Sequence, residues 1–182
     1  MGGSSEPPTH LSDDVDADPE SVARTICLRL LTIRARTRAE LDEALTARAV
    51  PAEAIDRVLA RLAEVGLIDD RAFAERFVAA RHQDRGLARR ELSRQLRGKG
   101  VDPEVAAEAV AGLDPDQERQ TGRRLAERRL RSMSGLEPIV QTRRLVGMLA
   151  RKGYSSEMAF QIVREVVGAA GDEPDSAAAW LA

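Results

Sequence analysis

The sequence predicts an all-α protein of three tandem three-helix repeats, stacked as an elongated, curved, solenoid-like body. Three observations carry this reading. N-cap residues and glycines punctuate the 182-residue chain at helix-length intervals, and no segment alternates as a strand. One residue pattern recurs twice, at shifts of 51 and 53 residues. Hydrophobic residues make up 43% but aromatics only 3%, and Ala, Leu and Val dominate, which disfavours a β-sandwich or barrel.

The helices are expected in order as follows. Asp18-Pro19-Glu20 supplies an N-cap, a proline at the first helical position and an acid in the first turn, opening a helix near 19–35. Thr37-Arg38-Ala39-Glu40 is a capping box for a second, near 37–48. A third, near 51–65, closes at Gly66. Asp69-Asp70 read as linker and N-cap of a fourth, near 70–84, whose Phe73 and Phe77 lie one turn apart and should fill a core. A fifth, near 87–98, closes at Gly100. Asp102-Pro103-Glu104 opens a sixth, near 102–111, closed by Gly112, and Asp114-Pro115-Asp116 opens a seventh, near 115–132. The eighth, near 138–151, ends before Gly153, and the ninth, near 155–167, ends at Gly168. This gives repeats at 19–69, 70–114 and 115–168, with acidic tails at 1–18 and 169–182 that read as disordered.

The repeat pattern is physical. Leu41, Leu92 and Leu145 coincide, as do Leu45, Leu96 and Leu149 one turn later. A base follows at Arg48, Lys99 and Lys152, where it favours the negative helix end. Next come Ala49, Gly100 and Gly153, then Val50, Val101 and Tyr154. Glu53, Glu104 and Glu157 then suit a positive helix start, so these glutamates read as structural. A unit this small buries little core alone, so stacking is expected.

Charge is segregated. The formal net charge of −2 hides a basic body: residues 22–168 carry all 28 bases against 21 acids, and 26 of those bases are arginine. The first repeat is neutral, whereas residues 71–100 carry a net +6 and residues 119–152 a net +8. Arg90, Arg94 and Arg97 share one face of the fifth helix, opposite Leu92 and Leu96, with Lys99 following. Arg124, Arg128 and Arg131 share a face of the seventh helix, and Arg144 and Arg151 one of the eighth, followed by Lys152. These ten residues form the candidate partner-binding face. Guanidinium groups suit phosphates and carboxylates alike, so a DNA backbone and an acidic protein surface both fit. Stacking aromatics of the single-strand-binding kind are scarce.

No catalytic, cofactor or metal site is expected. Cys27, the single cysteine, reads as an inert buried thiol on a helix. His10 and His82 are far apart, and His82 lacks triad or metal spacing. There is no phosphate-binding glycine loop and no HExxH. No stretch is long and apolar enough for a membrane and no secretory leader is apparent, so the expected location is the cytoplasm. Trp180, in Ala177-Ala178-Ala179-Trp180-Leu181-Ala182, belongs either to a short docking helix or to an unstructured end.

One stretch is more specific. Gly66-Leu67-Ile68-Asp69-Asp70, Phe73-Ala74, Gly86, Arg90-Glu91-Leu92, Leu96 and Lys99-Gly100-Val101 resemble the RecX family, whose members are tandem three-helix repeats. Arg143-Arg144-Leu145 and Leu149-Ala150-Arg151-Lys152-Gly153-Tyr154-Ser155 extend the resemblance, which covers roughly residues 22–168. It implies a cytoplasmic monomer that binds the RecA filament on single-stranded DNA. Such a protein modulates, mainly by inhibition, the filament's ATPase, strand-exchange and co-protease activities, in DNA repair, recombination and the SOS response. Ala49 replaces the glycine of the other repeats, and the family pattern does not require the acidic tails. The competing expectation is a direct nucleic-acid binder, single- or double-stranded, using stacked helix-turn-helix-like units. Acidic starts at Pro51-Ala52-Glu53, Pro103-Glu104-Val105 and Ser155-Ser156-Glu157 are poor base readers.

Overall fold

Local capping decides where the helices begin. The structure, a computed structural model, describes residues 18–171, which form nine α-helices and no strand. They are α1 (Pro19–Ile33), α2 (Arg38–Thr46), α3 (Ala52–Glu64), α4 (Asp70–Arg85), α5 (Arg89–Gly98), α6 (Pro103–Ala111), α7 (Pro115–Arg131), α8 (Pro138–Arg151) and α9 (Ser156–Gly171). Asp18, Asp69, Asp102 and Asp114 each accept backbone N–H groups of the following turn. Thr37 and Glu40 complete the capping box, with Glu40 N–H donating to Thr37 Oγ1 at 3.1 Å.

Two helix ends differ from the sequence reading. Gly112 has φ −65° and stays right-handed, so its N–H still bonds back to Glu108. Gly168 does not stop α9, which runs on to Gly171. One interior glycine costs only about 1 kcal/mol of helix propensity, and α9 packs along both α7 and α8. The expected tail at 169–182 therefore starts inside a helix. What remains of the two acidic tails, with His10 and Trp180, lies outside the described residues.

Helix contacts group the elements by threes: α1–α3, α4–α6 and α7–α9. Each set has its own core. Ala23, Cys27, Leu41, Leu45 and Leu59 centre the first; Phe73, Ala74, Leu92, Leu96 and Ala106 the second; Ala126, Leu145, Leu149, Ile162 and Val163 the third. The six repeat-matched leucines are all 0% exposed. The recurrence thus marks equivalent core positions, each of which costs about 2–5 kcal/mol when cut to alanine. The equivalent turn is left-handed in every set, at Ala49 (φ 56°), Gly100 (φ 72°) and Gly153 (φ 91°).

The chain divides into two compact units, one ending at Ile68 and one beginning at Asp69. The second unit holds both basic repeats. Ala88, in the turn between α4 and α5, belongs to the core of the α7–α9 set.

Candidate partner-binding surface

Within the second unit, the turn after α4 is clasped by the third repeat. The Ala88 N–H donates to the Lys152 carbonyl at 2.8 Å. Lys152 Nζ donates back to the Arg85 carbonyl at 2.5 Å, and the Tyr154 hydroxyl to the Gly86 carbonyl at 3.3 Å. Burial, with the Glu118 carboxylate nearby, holds the Tyr154 phenol far above its usual range, so it stays a donor. Gly153 is required twice over. Its φ is left-handed, and a Cβ there would run into the backbone and side chain of Glu91 at the start of α5.

A second row of contacts joins α7 to the same turn. The Arg89 N–H donates to Glu118 Oε1 at 3.0 Å, while Arg89 Nε lies 3.4 Å from Oε2, an ion-pair distance without hydrogen-bond alignment. The Arg89 guanidinium also donates to the Leu113 carbonyl. His82 Nδ1 lies 2.9 Å from the Leu87 carbonyl, which can only accept, so Nδ1 carries the proton. His82 Nε2 lies 3.1 Å from Thr121 Oγ1, which also accepts from Arg124 Nη2 at 3.0 Å. That is a structural role, not a triad.

A groove of about 880 Å³ opens beside this clasp, lined by Arg85, Arg124, Arg128, Arg129 and Lys152 against the single acid Asp84. A smaller depression of about 480 Å³ shares Arg129 and Met148 with it and adds Arg143, Arg144 and Arg151. Among the described residues, none of these eight bases forms an ion pair. Elsewhere arginines are paired, as in Arg57–Glu20, Arg71–Glu108 and Arg123–Glu127. Partial burial lowers the Lys152 ammonium from its ordinary range, and the like charges of Arg128 and Arg85 lower it further. Cations held close without counter-charge favour an incoming anion.

The ten expected residues do not all meet here. Arg124, Arg128 and Lys152 line the groove, and Arg144 and Arg151 its extension. Arg131 lies apart, in a depression with Arg123 and Val166. On α5, Arg90 and Arg97 are exposed, Arg97 sharing a hydrogen bond with Ser93 Oγ. Arg94 pairs with Glu91 at 2.6 Å, which holds the Glu91 carboxyl below its usual range. Lys99 is half-buried over the stacked rings of Phe73 and Phe77, 5.8 and 5.9 Å from their centroids. Sequence reasoning missed Arg85, Arg129 and Arg143. Their signals were the last-turn base before Gly86 and the Arg-Arg doublets at 128–129 and 143–144.

Cys27 is buried, and burial raises its thiol pKa, which suppresses thiolate chemistry. Among the described residues no group of three or more His, Cys, Asp and Glu side chains is placed to hold a metal, and no helix is long and apolar enough to cross a membrane.

Comparison with known proteins matches the chain to three successive family models. They are RecX first three-helix domain at residues 23–62, second at 69–110 and third at 116–163. "Regulatory protein RecX" of Streptomyces coelicolor is 51% identical over 158 residues, covering 87% of this chain and 84% of that protein. The protein of the same name from Mycolicibacterium smegmatis is 51% identical over 148 residues, covering 79% of each. The crystal structure of RecX from Lactobacillus salivarius superposes with a TM-score of 0.77 at 23% identity, covering 82% of this chain and 97% of that one.

Proposed function

The chain belongs to the RecX family, and on that footing we propose that it is a non-enzymatic cytoplasmic regulator of the RecA filament on single-stranded DNA. In this reading it acts as a monomer and lowers the filament's ATPase, strand-exchange and co-protease activities. The observation that supports it is the run of eight unpaired bases along one groove and its extension in the second unit. We assign the main contact to these eight, Arg85, Arg124, Arg128, Arg129, Arg143, Arg144, Arg151 and Lys152. Arg90, Arg94, Arg97, Lys99 and Arg131 take a lesser part.

The test measures RecA-catalysed ATP hydrolysis on single-stranded DNA with the chain added below stoichiometry. Reversing Arg85, Arg128 and Arg129 to Glu should raise the concentration needed for half-inhibition at least about tenfold, since each lost charge-assisted bond is worth about 1.5–3 kcal/mol. Reversing Arg24, Arg29 and Arg34 should change it little. Equal losses from the two triple variants would remove the groove as the contact.

The same unpaired guanidinium groups suit phosphodiesters, which keeps direct DNA binding as a second reading. In that case the chain alone binds oligonucleotides, with a log–log salt slope of roughly −0.7 for each phosphate neutralised on single strands.

A further inference from the structure

Lys152 is the one amine in a groove of guanidinium groups. The chain has only two lysines, Lys99 and Lys152. Lys152 lines the groove with Arg85 from α4 and with Arg124, Arg128 and Arg129 from α7, against the single acid Asp84. Lys99 lines neither basic depression and lies over the rings of Phe73 and Phe77. Of the two side-chain amines, only Lys152 stands where an anion is favoured.

A guanidinium stays protonated at any ordinary pH, whereas an ammonium becomes a nucleophile once it gives up a proton. Three features favour that step at Lys152. Partial burial disfavours the charged form, and the like charges of Arg128 and Arg85 disfavour it further. Nζ donates to the Arg85 carbonyl at 2.5 Å. A carbonyl only accepts, so this bond holds the nitrogen through an N–H and leaves the lone pair of the neutral amine outside it. The third feature is surplus charge. The four groove arginines outweigh Asp84 by three charges, so the surroundings of Nζ stay positive even after a dianion has entered. Acyl transfer to an amine places negative charge on the carbonyl oxygen as the bond forms, and the same guanidinium groups stabilise it.

We propose that Lys152 is a modification site for acyl phosphates, whose phosphate is held by Arg85, Arg128 and Arg129 while the acyl carbon meets Nζ. The ammonium first loses one proton to water. The nitrogen lone pair then forms the N–C bond, the C–O bond to phosphate breaks, and a second proton from nitrogen leaves with the departing phosphate as hydrogen phosphate. The product is a neutral amide whose remaining N–H can still donate to the Arg85 carbonyl. The turn keeps its clasp while the groove loses a charge. The modification needs only the groove; that it weakens RecA inhibition rests on the function proposed above.

The test treats the native full chain with acetyl phosphate at neutral pH and follows each lysine by peptide mass spectrometry. Lys152 should be acetylated at least about tenfold faster than Lys99, because a bound donor presents its acyl group at high local concentration. Excess inorganic phosphate should remove that advantage without slowing Lys99. So should the double change Arg128→Gln and Arg129→Gln, on two exposed residues of α7. Arg24→Gln with Arg29→Gln, on exposed residues of α1, should leave it intact. An uncharged acetyl ester, which the arginines cannot hold, should show a much smaller preference for Lys152. Equal rates at the two lysines under acetyl phosphate would overturn the proposal. So would a preference that survives excess phosphate, since it would belong to the amine alone and not to an anion site. Neither RecA nor DNA is present, so failure here and failure to inhibit RecA are separate results.

Discussion

Ala49 shows how one backbone angle can be paid for inside a repeat. It holds φ 56°, where the equivalent residues are Gly100 and Gly153. A left-handed non-glycine residue costs roughly 1–2 kcal/mol, partly offset by the smaller entropy that alanine loses on folding. Ala49→Gly should therefore stabilise the first unit by about 0.5–1 kcal/mol in urea titration. Gly153→Ala should do the reverse and more strongly, by at least about 2 kcal/mol, because strain and the collision with Glu91 add. Lys152 gives a pH signature at the same turn. Its pKa in the folded chain is below the unfolded value of 10.5, so folding releases a proton in alkaline solution and stability rises as pH climbs through that folded pKa toward 10.5. Anion binding, which needs the charged ammonium, should weaken over the same window, and Lys152→Arg should remove that dependence. A titration of polyanion affinity against pH checks both.

At the scale of elements, the junction of α5 with α7 is held by one carboxylate. Glu118 is 5% exposed in the first turn of α7 and serves both the backbone and the guanidinium of Arg89. Glu118→Ala should cost about 2–3 kcal/mol, less than a fully buried pair because the Arg89 side chain keeps 35% of its exposure. Glu118→Gln, which can still accept the N–H, should cost about half as much; thermal unfolding of both variants distinguishes charge from hydrogen bond.

Helices were legible because their signals are local: Asp18, Thr37, Asp69, Asp102 and Asp114 cap within three residues of themselves. The paired leucines were legible because repetition exposes them. The basic surface was only half legible. A helical wheel treats each helix alone, so it grouped Arg131 with Arg124 and missed Arg85, which α4 brings to the α7 arginines. It also credited Lys99, whose ammonium is drawn over Phe73 and Phe77 by packing that no wheel contains. The Arg94–Glu91 pair was readable in advance, since Glu91 stands three residues before Arg94 on the same helix face.

At the scale of the whole molecule, two units rather than three should govern unfolding. Truncation after Leu113 removes Lys152 and Glu118, and with them the partners of the Ala88 and Arg89 N–H groups. Hydrogen exchange on that fragment should show residues 19–68 still protected and residues 70–111 losing most of their protection, although all three helices of the second repeat are present. A second repeat that stayed protected alone would show that the Asp69–Ala182 unit is divisible. This bears on the proposed inhibition too. The groove takes Arg85 from one repeat and Arg128 and Lys152 from the next, so neither repeat alone carries the surface.

The Ala88–Lys152 bond joins main-chain atoms, and its ancestry follows from that. Side-chain drift cannot remove that bond itself, as an insertion, a deletion or loss of the Gly153 conformation can, but it can remove the Glu118 and Tyr154 contacts beside it. Genes that grow by duplicating a three-helix module and later exchange segments should therefore show their crossover points near Ile68–Asp69 and not near Leu113–Asp114. Laboratory chimaeras should obey the same grammar. A hybrid taking residues 1–68 from one homologue and the remainder from another should fold, while one spliced at 113 must still match the Glu118, Thr121 and Tyr154 side chains to a second repeat they did not evolve beside.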